Sequence, residues 1–516
     1  MTAAIHSFSI DTPHIDWFAL APVNALLAAS ALALLCSVLV PSFSRKPVTA
    51  TLCALGYATA LGFAVALYVK SAHGHGVVVD AFRRDRLAEL TGIIVAGSGL
   101  LATAISYRER SREDHVGEYY ALLAAAGGGM LFFVGANNLM TLFLALEWFS
   151  ISLYILCAID RDRLSGLEAA LKYLVVGGFG SAVLLFGAAL VYGATGALDF
   201  AGIAAAGHEH DALLVFGLAM IIAGLAFKAS AAPFHMWTPD VYEGAPTPLT
   251  AFMAAATKTV ALVVALRLLV TAFPGDAYIW TRALAVIAVC SLVIGNLAAL
   301  VQKGVKRMLA YSSVSHAGFM LIAVASNSSL GARALLYYLI PYAAMSLGSF
   351  GVVAAREREL GVPVTFENMA GFGWERPVLG ISMWAFMLGF AGFPLTGGFI
   401  GKFYVFAAAY RHGWTWLVIV GVLATLVSLY YYLGLVRAMF MRRTEDLQLA
   451  AGTDARAEPA RPLGGATSGA ISGGSPPRDA LLQTAVFACL VVTVGSFFAV
   501  QPLIDVAKHA ATSLPF

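Results

Sequence analysis

The chain has 516 residues, of which 60% are hydrophobic and 12% charged, against about 25% charged in an average soluble domain. With a mean hydropathy of +0.81 and a formal net charge of +3, it is neither a soluble globular enzyme nor a disordered chain, and it has no basic surface to offer nucleic acid. Its solvent is the lipid bilayer.

A membrane-crossing helix takes roughly 20 apolar residues. Runs of that kind are predicted near 19–42, 48–69, 87–106, 118–136, 138–159, 166–193, 211–230, 246–272, 279–301, 308–326, 333–354, 377–410, 413–441 and 480–504. This is an all-α membrane protein with about fourteen spans in one bundle. The stretch before the first span carries no Lys or Arg, so it does not read as a cleaved signal peptide. Loops after odd-numbered spans hold 19 cations and those on the other face 8. The positive-inside rule puts the first set in the cytoplasm and both termini outside. Residues 442–479 include GGATSGAISGGSPPR and read as a flexible cytoplasmic linker. The expected division is 1–117, 118–272, 273–441, the linker, and a last span with its tail over 480–516.

Five cations are left inside the spans once the loop cations are counted, Lys172, Lys228, Lys258, Arg267 and Lys402, and one carboxylate, Glu147, sits mid-span. A charge at a helix centre costs about 2.5–3.5 kcal/mol on insertion scales, so such residues mark a pathway or are paired and inert. Lys172 follows Glu168 by four residues, which fits a local pair, and Arg267 lies near a span end, where it can snorkel. Lys228, Lys258 and Lys402 have no acidic residue within a helical turn, and Glu147 needs a cation from another helix. Pro233 follows Lys228 closely, and Gly392, Pro394, Gly397, Gly398 and Gly401 precede Lys402. Such residues break helices, and broken helices at membrane depth line polar cavities. Spans seven and twelve are therefore expected to be broken and to occupy equivalent places in two inverted five-helix repeats, spans 4–8 and 9–13. His316 and His235 are candidate proton relays. The His208-Glu209-His210 cluster has no third spaced ligand for a metal.

Chemistry carried by bound groups has no foothold. The five cysteines are far apart in apolar runs, and no CxxC, iron–sulfur spacing, GxGxxG after a strand or Walker A loop occurs. No cofactor or metal is expected in this chain.

The strings KYLVVGGFGSA, YGATG, PFHMWTPDVYEGAPTP, VKRMLAYSSVSHAG and GGFIGKFYVF resemble the antiporter-like subunits of bacterial respiratory complex I, most of all the subunit N family. The resemblance covers roughly residues 90–440. It implies a fourteen-helix inverted-repeat fold with a pair of proton half-channels in the bacterial cell inner membrane. It also implies that Glu147 and Lys228 form a coupled acid–base pair, that Lys258 is the central relay and Lys402 the exit-side lysine, with Lys172 a further family lysine. The chain would then be one subunit of a proton-pumping NADH–quinone oxidoreductase translocase. NADH, flavin, iron–sulfur clusters and quinone would be bound by partner subunits, and neighbouring antiporter-like subunits would flank it. The other reading is a subunit of a multi-subunit cation/proton antiporter. The linker 442–479 is the chief departure from the family pattern.

Overall fold

The computed structural model describes residues 15–70, 74–78, 81–109, 115–206, 211–441 and 479–516, and they are mostly helical. The chain opens with α1 (Ala21–Leu39), α2 (Ser42–Lys70) and α3 (Arg86–Ser106), with an antiparallel hairpin of β1 (His75–Val77) and β2 (Phe82–Arg84) between the last two. Then come α4 (Val116–Val134), α5 (Leu139–Cys157), α6 (Leu164–Thr195), α7 (Phe200–Ala205), α8 (Ala212–Lys228) and α9 (Trp237–Gly244). A single rod follows: α10 (Thr247–Phe252), a π-helical turn (Met253–Thr257) and α11 (Lys258–Ala272). The rest is α12 (Ala277–Leu300), α13 (Val305–Ala325), α14 (Ser329–Leu360), α15 (Phe372–Glu375), α16 (Pro377–Ala391), α17 (Gly397–Arg411), α18 (Thr415–Met441), α19 (Ala480–Phe498) and α20 (Val500–Ala511).

Twelve of these helices, among the described residues, are long and apolar enough to cross a membrane, not the fourteen expected. The two that fall short are those predicted at 211–230 and 377–410. The first is realised as the 17-residue α8, followed after an irregular stretch by the short α9. The second is two 15-residue helices, α16 and α17. The local causes are visible. After α8 the backbone turns into the left-handed region at Ser230 (φ 60°), and α16 stops at Gly392 (φ 79°), where only a residue without Cβ is unstrained. The linker expected at 442–479 lies, up to residue 478, outside the described residues, as does the His208–His210 cluster.

Burial sorts the helices into centre and rim. The apolar stretch of the rod α10–α11 is buried throughout, and those of α13 and α14 nearly so, whereas in α1, α2, α6, α18 and α19 only about a third of the stretch is buried. Leu171, Leu174, Val175 and Phe179 project outward from α6. Apolar side chains facing out are normal for a surface that meets lipid. Helices approach closely where side chains are smallest: a Cβ on Gly187 of α6 would sit 2.7 Å from the Gly217 carbonyl oxygen of α8, and one on Gly217 2.8 Å from that of Gly187. The centre is where the polar residues collect.

Candidate functional site

Lys228 ends α8 and is buried. Its ammonium donates to the Ser150 hydroxyl at 2.7 Å and the Tyr173 hydroxyl at 3.4 Å, and lies 4.5 Å from the centre of the Phe149 ring. Hydroxyl dipoles and an aromatic face together replace part of the water the charge has lost. The expected partner, Glu147, sits one turn before Ser150 on α5, whose start is capped by the Asn138 side chain. The carboxylate atom Oε1 of Glu147 is buried and has no hydrogen-bond partner among the described residues. The structure thus places Glu147 beside Lys228's hydroxyl cradle, not in direct contact with the ammonium.

Lys258 is completely buried in the centre of the molecule. It follows the π-helical turn, whose extra residue per turn rotates the lysine relative to the helix before it. Its ammonium donates to the carbonyl oxygens of Ala229 (3.2 Å) and Ser313 (2.8 Å). Ala229 is the residue after Lys228, so Lys258 brings its amine to the C-terminal end of α8, where cations are favoured.

His316 of α13 is buried next along the row. Its Nδ1 is 2.7 Å from the Tyr338 hydroxyl and its Nε2 3.0 Å from that of Tyr432. A neutral imidazole must donate through one nitrogen and accept through the other, so the two tyrosines hold complementary roles. Tyr432 also bonds Ser312, and its neighbour Tyr431 donates to Asn296 at 2.9 Å. Lys402 of α17 closes the row. It is buried, donates to the carbonyl oxygens of Phe390 (2.8 Å) and Ala391 (3.3 Å), and lies 4.5 Å from the Phe319 ring centre. Those carbonyls belong to the last turn of α16, so Lys402 caps one interrupted helix end as Lys258 caps the other. Phe390 also packs on the His316 ring, with centroids 5.0 Å apart.

Among the described residues, no carboxylate oxygen comes within 4.0 Å of the ammonium of Lys228, Lys258 or Lys402. Three buried cations are therefore held by neutral oxygen acceptors. Such a row can pass a proton from one group to the next, because no group is locked into a permanent ion pair.

Other expected residues lie elsewhere. Lys172 is 44% exposed and pairs with Glu168 at 2.7 Å and Asp240 at 2.9 Å, because α6 runs along α9 here. His235 is half-buried between α8 and α9, its ring 6.3 Å from that of Tyr311. Arg267 does not snorkel: it is buried and donates to Asp85 at 2.6 Å, a residue that also caps α3. Lys306, counted above among loop cations, is buried as the second residue of α13. Ser150, Tyr173, Tyr338 and Tyr432 carry the row with the lysines, and the sequence offered only a weak sign of them: hydroxyls recurring within otherwise apolar runs.

Residues 136–428 of this helical bundle match the NADH:quinone oxidoreductase/Mrp antiporter transmembrane family, which makes it an antiporter-type membrane subunit. The NADH-quinone oxidoreductase subunit N of Trichlorobacter lovleyi is 41% identical over 422 residues, covering 80% of this chain and 85% of that one. A chain of respiratory complex I from Thermus thermophilus, solved with bound aureothin, matches with a TM-score of 0.74 at 32% identity, covering 94% of this chain and 98% of that chain. A chain of the Mrp complex from Dietzia sp. shares the fold, with a TM-score of 0.81 at 24% identity over 95% of this chain and 97% of that one. The chain belongs to the subunit N family of NADH-quinone oxidoreductases.

Proposed function

We propose that the chain works as a membrane-arm subunit of a proton-pumping NADH–quinone oxidoreductase and carries protons across the membrane through Glu147, Lys228, Lys258, His316 and Lys402. The observation that carries this reading is the set of three buried lysines held on hydroxyl and carbonyl oxygens. A static structural charge would be expected to have a buried counter-ion. NADH oxidation and quinone reduction take place on flavin, iron–sulfur clusters and quinone bound in partner subunits, beside which this chain sits in a bacterial inner membrane. Its orientation has both termini outside, as the cation bias of the loops indicates.

The two helix interruptions support a two-repeat organisation over 118–272 and 273–441. In each, a lysine from another helix, or from the helix after the break, rests on the carbonyls that end the interrupted helix: Lys258 on Ala229, Lys402 on Phe390 and Ala391. Redox-driven movement of Glu147 relative to the Lys228 cradle changes whether the lysine keeps its proton, and the proton moves to Lys258, His316 and Lys402 in turn. Lys172 and His235 lie at the approach to this row. Moving one charge against about 180 mV requires about 4 kcal/mol, which is of the size that making or breaking one buried ionic contact supplies.

The test uses assembled complexes carrying Lys228→Ala or Glu147→Ala, with NADH-driven proton uptake measured in inverted membrane vesicles. The reading expects pumping to collapse in both, and parent-level pumping in either overturns it. Co-purification separates it from a cation/proton antiporter. Flavin- and iron–sulfur-containing partners are expected here, whereas sodium-dependent transport without them belongs to the other reading.

A further inference from the structure

A second polar constellation lies away from the lysine row. Between α6, α9, α13 and the end of α14 the surface is hollowed into a cavity of about 460 Å³ lined largely by charged side chains. On its wall, Arg307 pairs with Asp240 at 2.8 Å and Glu243 at 2.7 Å. Deeper in the wall are Lys306, whose side chain is 4% exposed, and Glu357, 14% exposed, with 3.8 Å between them. Behind both is Thr247, completely buried at the first position of α10. Lys306 donates to the Thr247 hydroxyl at 2.9 Å and to the Ala245 carbonyl at 3.0 Å, and the Thr247 hydroxyl donates to Glu357.

Back along the chain from this triad come three more buried hydroxyls. Ala245, which Lys306 touches, directly follows α9. Along α9, Tyr242 and Thr238 stand four residues apart and so share a face. Beyond the other end of α9 is Ser230, next to Ala229. All three side chains are fully buried, and among the described residues their oxygens make no hydrogen bond that meets both distance and angle. Buried hydroxyls without a protein partner are satisfied by internal water. The carbonyl of Ala229, beside Ser230, is the one that accepts from Lys258.

We propose that Glu357, Thr247 and Lys306 form the loading gate through which protons from the charged cavity enter the protein, and that Tyr242, Thr238 and Ser230 line the hydrated path from the gate to Lys258. A proton from cavity water binds the Glu357 carboxylate. The carboxylic acid gives it to the Thr247 oxygen while the Thr247 hydroxyl releases its own proton to water on the inner side, which regenerates carboxylate and hydroxyl. Lys306 is a positioning residue: its ammonium takes one of the two acceptor positions of the Thr247 oxygen and leaves the other turned to Glu357. The inference rests on the lysine row as the destination of the proton.

The experiment compares Thr247→Val, Thr247→Ser and Glu357→Gln in assembled complexes, with Lys258→Ala alongside. The readouts are proton uptake by inverted vesicles and NADH turnover. Valine keeps the shape of threonine and removes the hydroxyl, whereas serine keeps the hydroxyl. The gate predicts that Thr247→Val and Glu357→Gln each slow pumping about ten-fold or more and that Thr247→Ser pumps near the parent rate. A purely structural Thr247 would not separate valine from serine in that direction. Parent-rate pumping in both Thr247→Val and Glu357→Gln, with Lys258→Ala inactive, overturns the gate and leaves the row standing. Parent-rate pumping in Lys258→Ala overturns the row as the destination, and the gate with it.

Discussion

Lys258 and Ala229 meet across the break between α8 and α9: the lysine ammonium lies 3.2 Å from the carbonyl oxygen of the residue that follows Lys228. Two lysines from helices that are separate in sequence are thereby brought to the same helix end. Lys228 is the last residue of α8 and reaches sideways to α5 and α6, and Lys258 takes the carbonyl next to it from across. Any shift of α8 moves Lys228 within its Ser150 and Tyr173 cradle and, at the same time, the Ala229 acceptor of Lys258; in the proposed route this links the first two stations.

The Ser150 hydroxyl is the nearest acceptor for Lys228. Ser150→Ala removes a hydrogen bond to a charged group, worth about 1.5–3 kcal/mol. It is expected to lower the rate of proton uptake while the complex still assembles, since the side-chain volume hardly changes. Stopped-flow measurement of vesicle acidification after NADH addition reads this out. A rate equal to the parent's contradicts the assignment of Ser150 to the cradle.

His316 bridges Tyr338 and Tyr432 between the central lysine and Lys402. His316→Phe keeps the ring packing against Phe390 and removes both polar ends. Pumping is expected to fall about ten-fold or more, whereas Tyr432→Phe, which leaves the Tyr338 bond in place, has the smaller effect. If His316→Phe pumps as well as the parent, the proton reaches Lys402 by another route.

Arg267 and Asp85 form a buried pair between α11 and the start of α3. Removing one partner of such a pair costs about 3–5 kcal/mol, because the other charge is left buried alone. Arg267→Met is therefore expected to lower the thermal stability of the purified complex, and Asp85→Asn together with Arg267→Met to recover part of it. Proton transfer per assembled complex is expected to stay close to the parent's. A single-variant melting temperature equal to the parent's contradicts the reading.

At the second interruption α16 and α17 touch backbone to backbone. A Cβ on Gly398 would come against the Gly389 carbonyl oxygen. Gly398→Ala should push α17 away and draw Lys402 off the Phe390 and Ala391 carbonyls. The expected outcome is impaired pumping at retained NADH oxidation by the peripheral arm, assayed with an artificial electron acceptor.

Hydropathy alone located the long spans, and the few cations within apolar runs pointed to Lys228, Lys258 and Lys402. What composition could not reveal was how those cations are held. Arg267 lies near a span end in sequence, which suggested snorkelling, but its partner Asp85 is 182 residues away and reaches it only through helix packing. Lys306 stands beside Lys303 and Arg307, where hydropathy dips and a loop is the natural reading, yet α13 begins at Val305 and turns that one lysine inward. Lys172 is on an apolar span but sits near its end, within reach of Asp240 on α9. The two helices that proved too short to count as spans are interrupted at the Ser230 and Gly392 turns. The proline and glycines near them signalled breaks, and only the backbone defines where each half stops.

Lys258 is the central station of the proposed route. Proton-to-electron stoichiometry, measured in proteoliposomes with assembled complexes carrying Lys258→Met, is the most direct test. Methionine keeps the length and apolar stem of lysine and has no proton to give. The account predicts that translocation through this subunit is lost and that the number of protons moved per NADH drops or coupled turnover stops. Full parent stoichiometry at full parent turnover in that variant would contradict it.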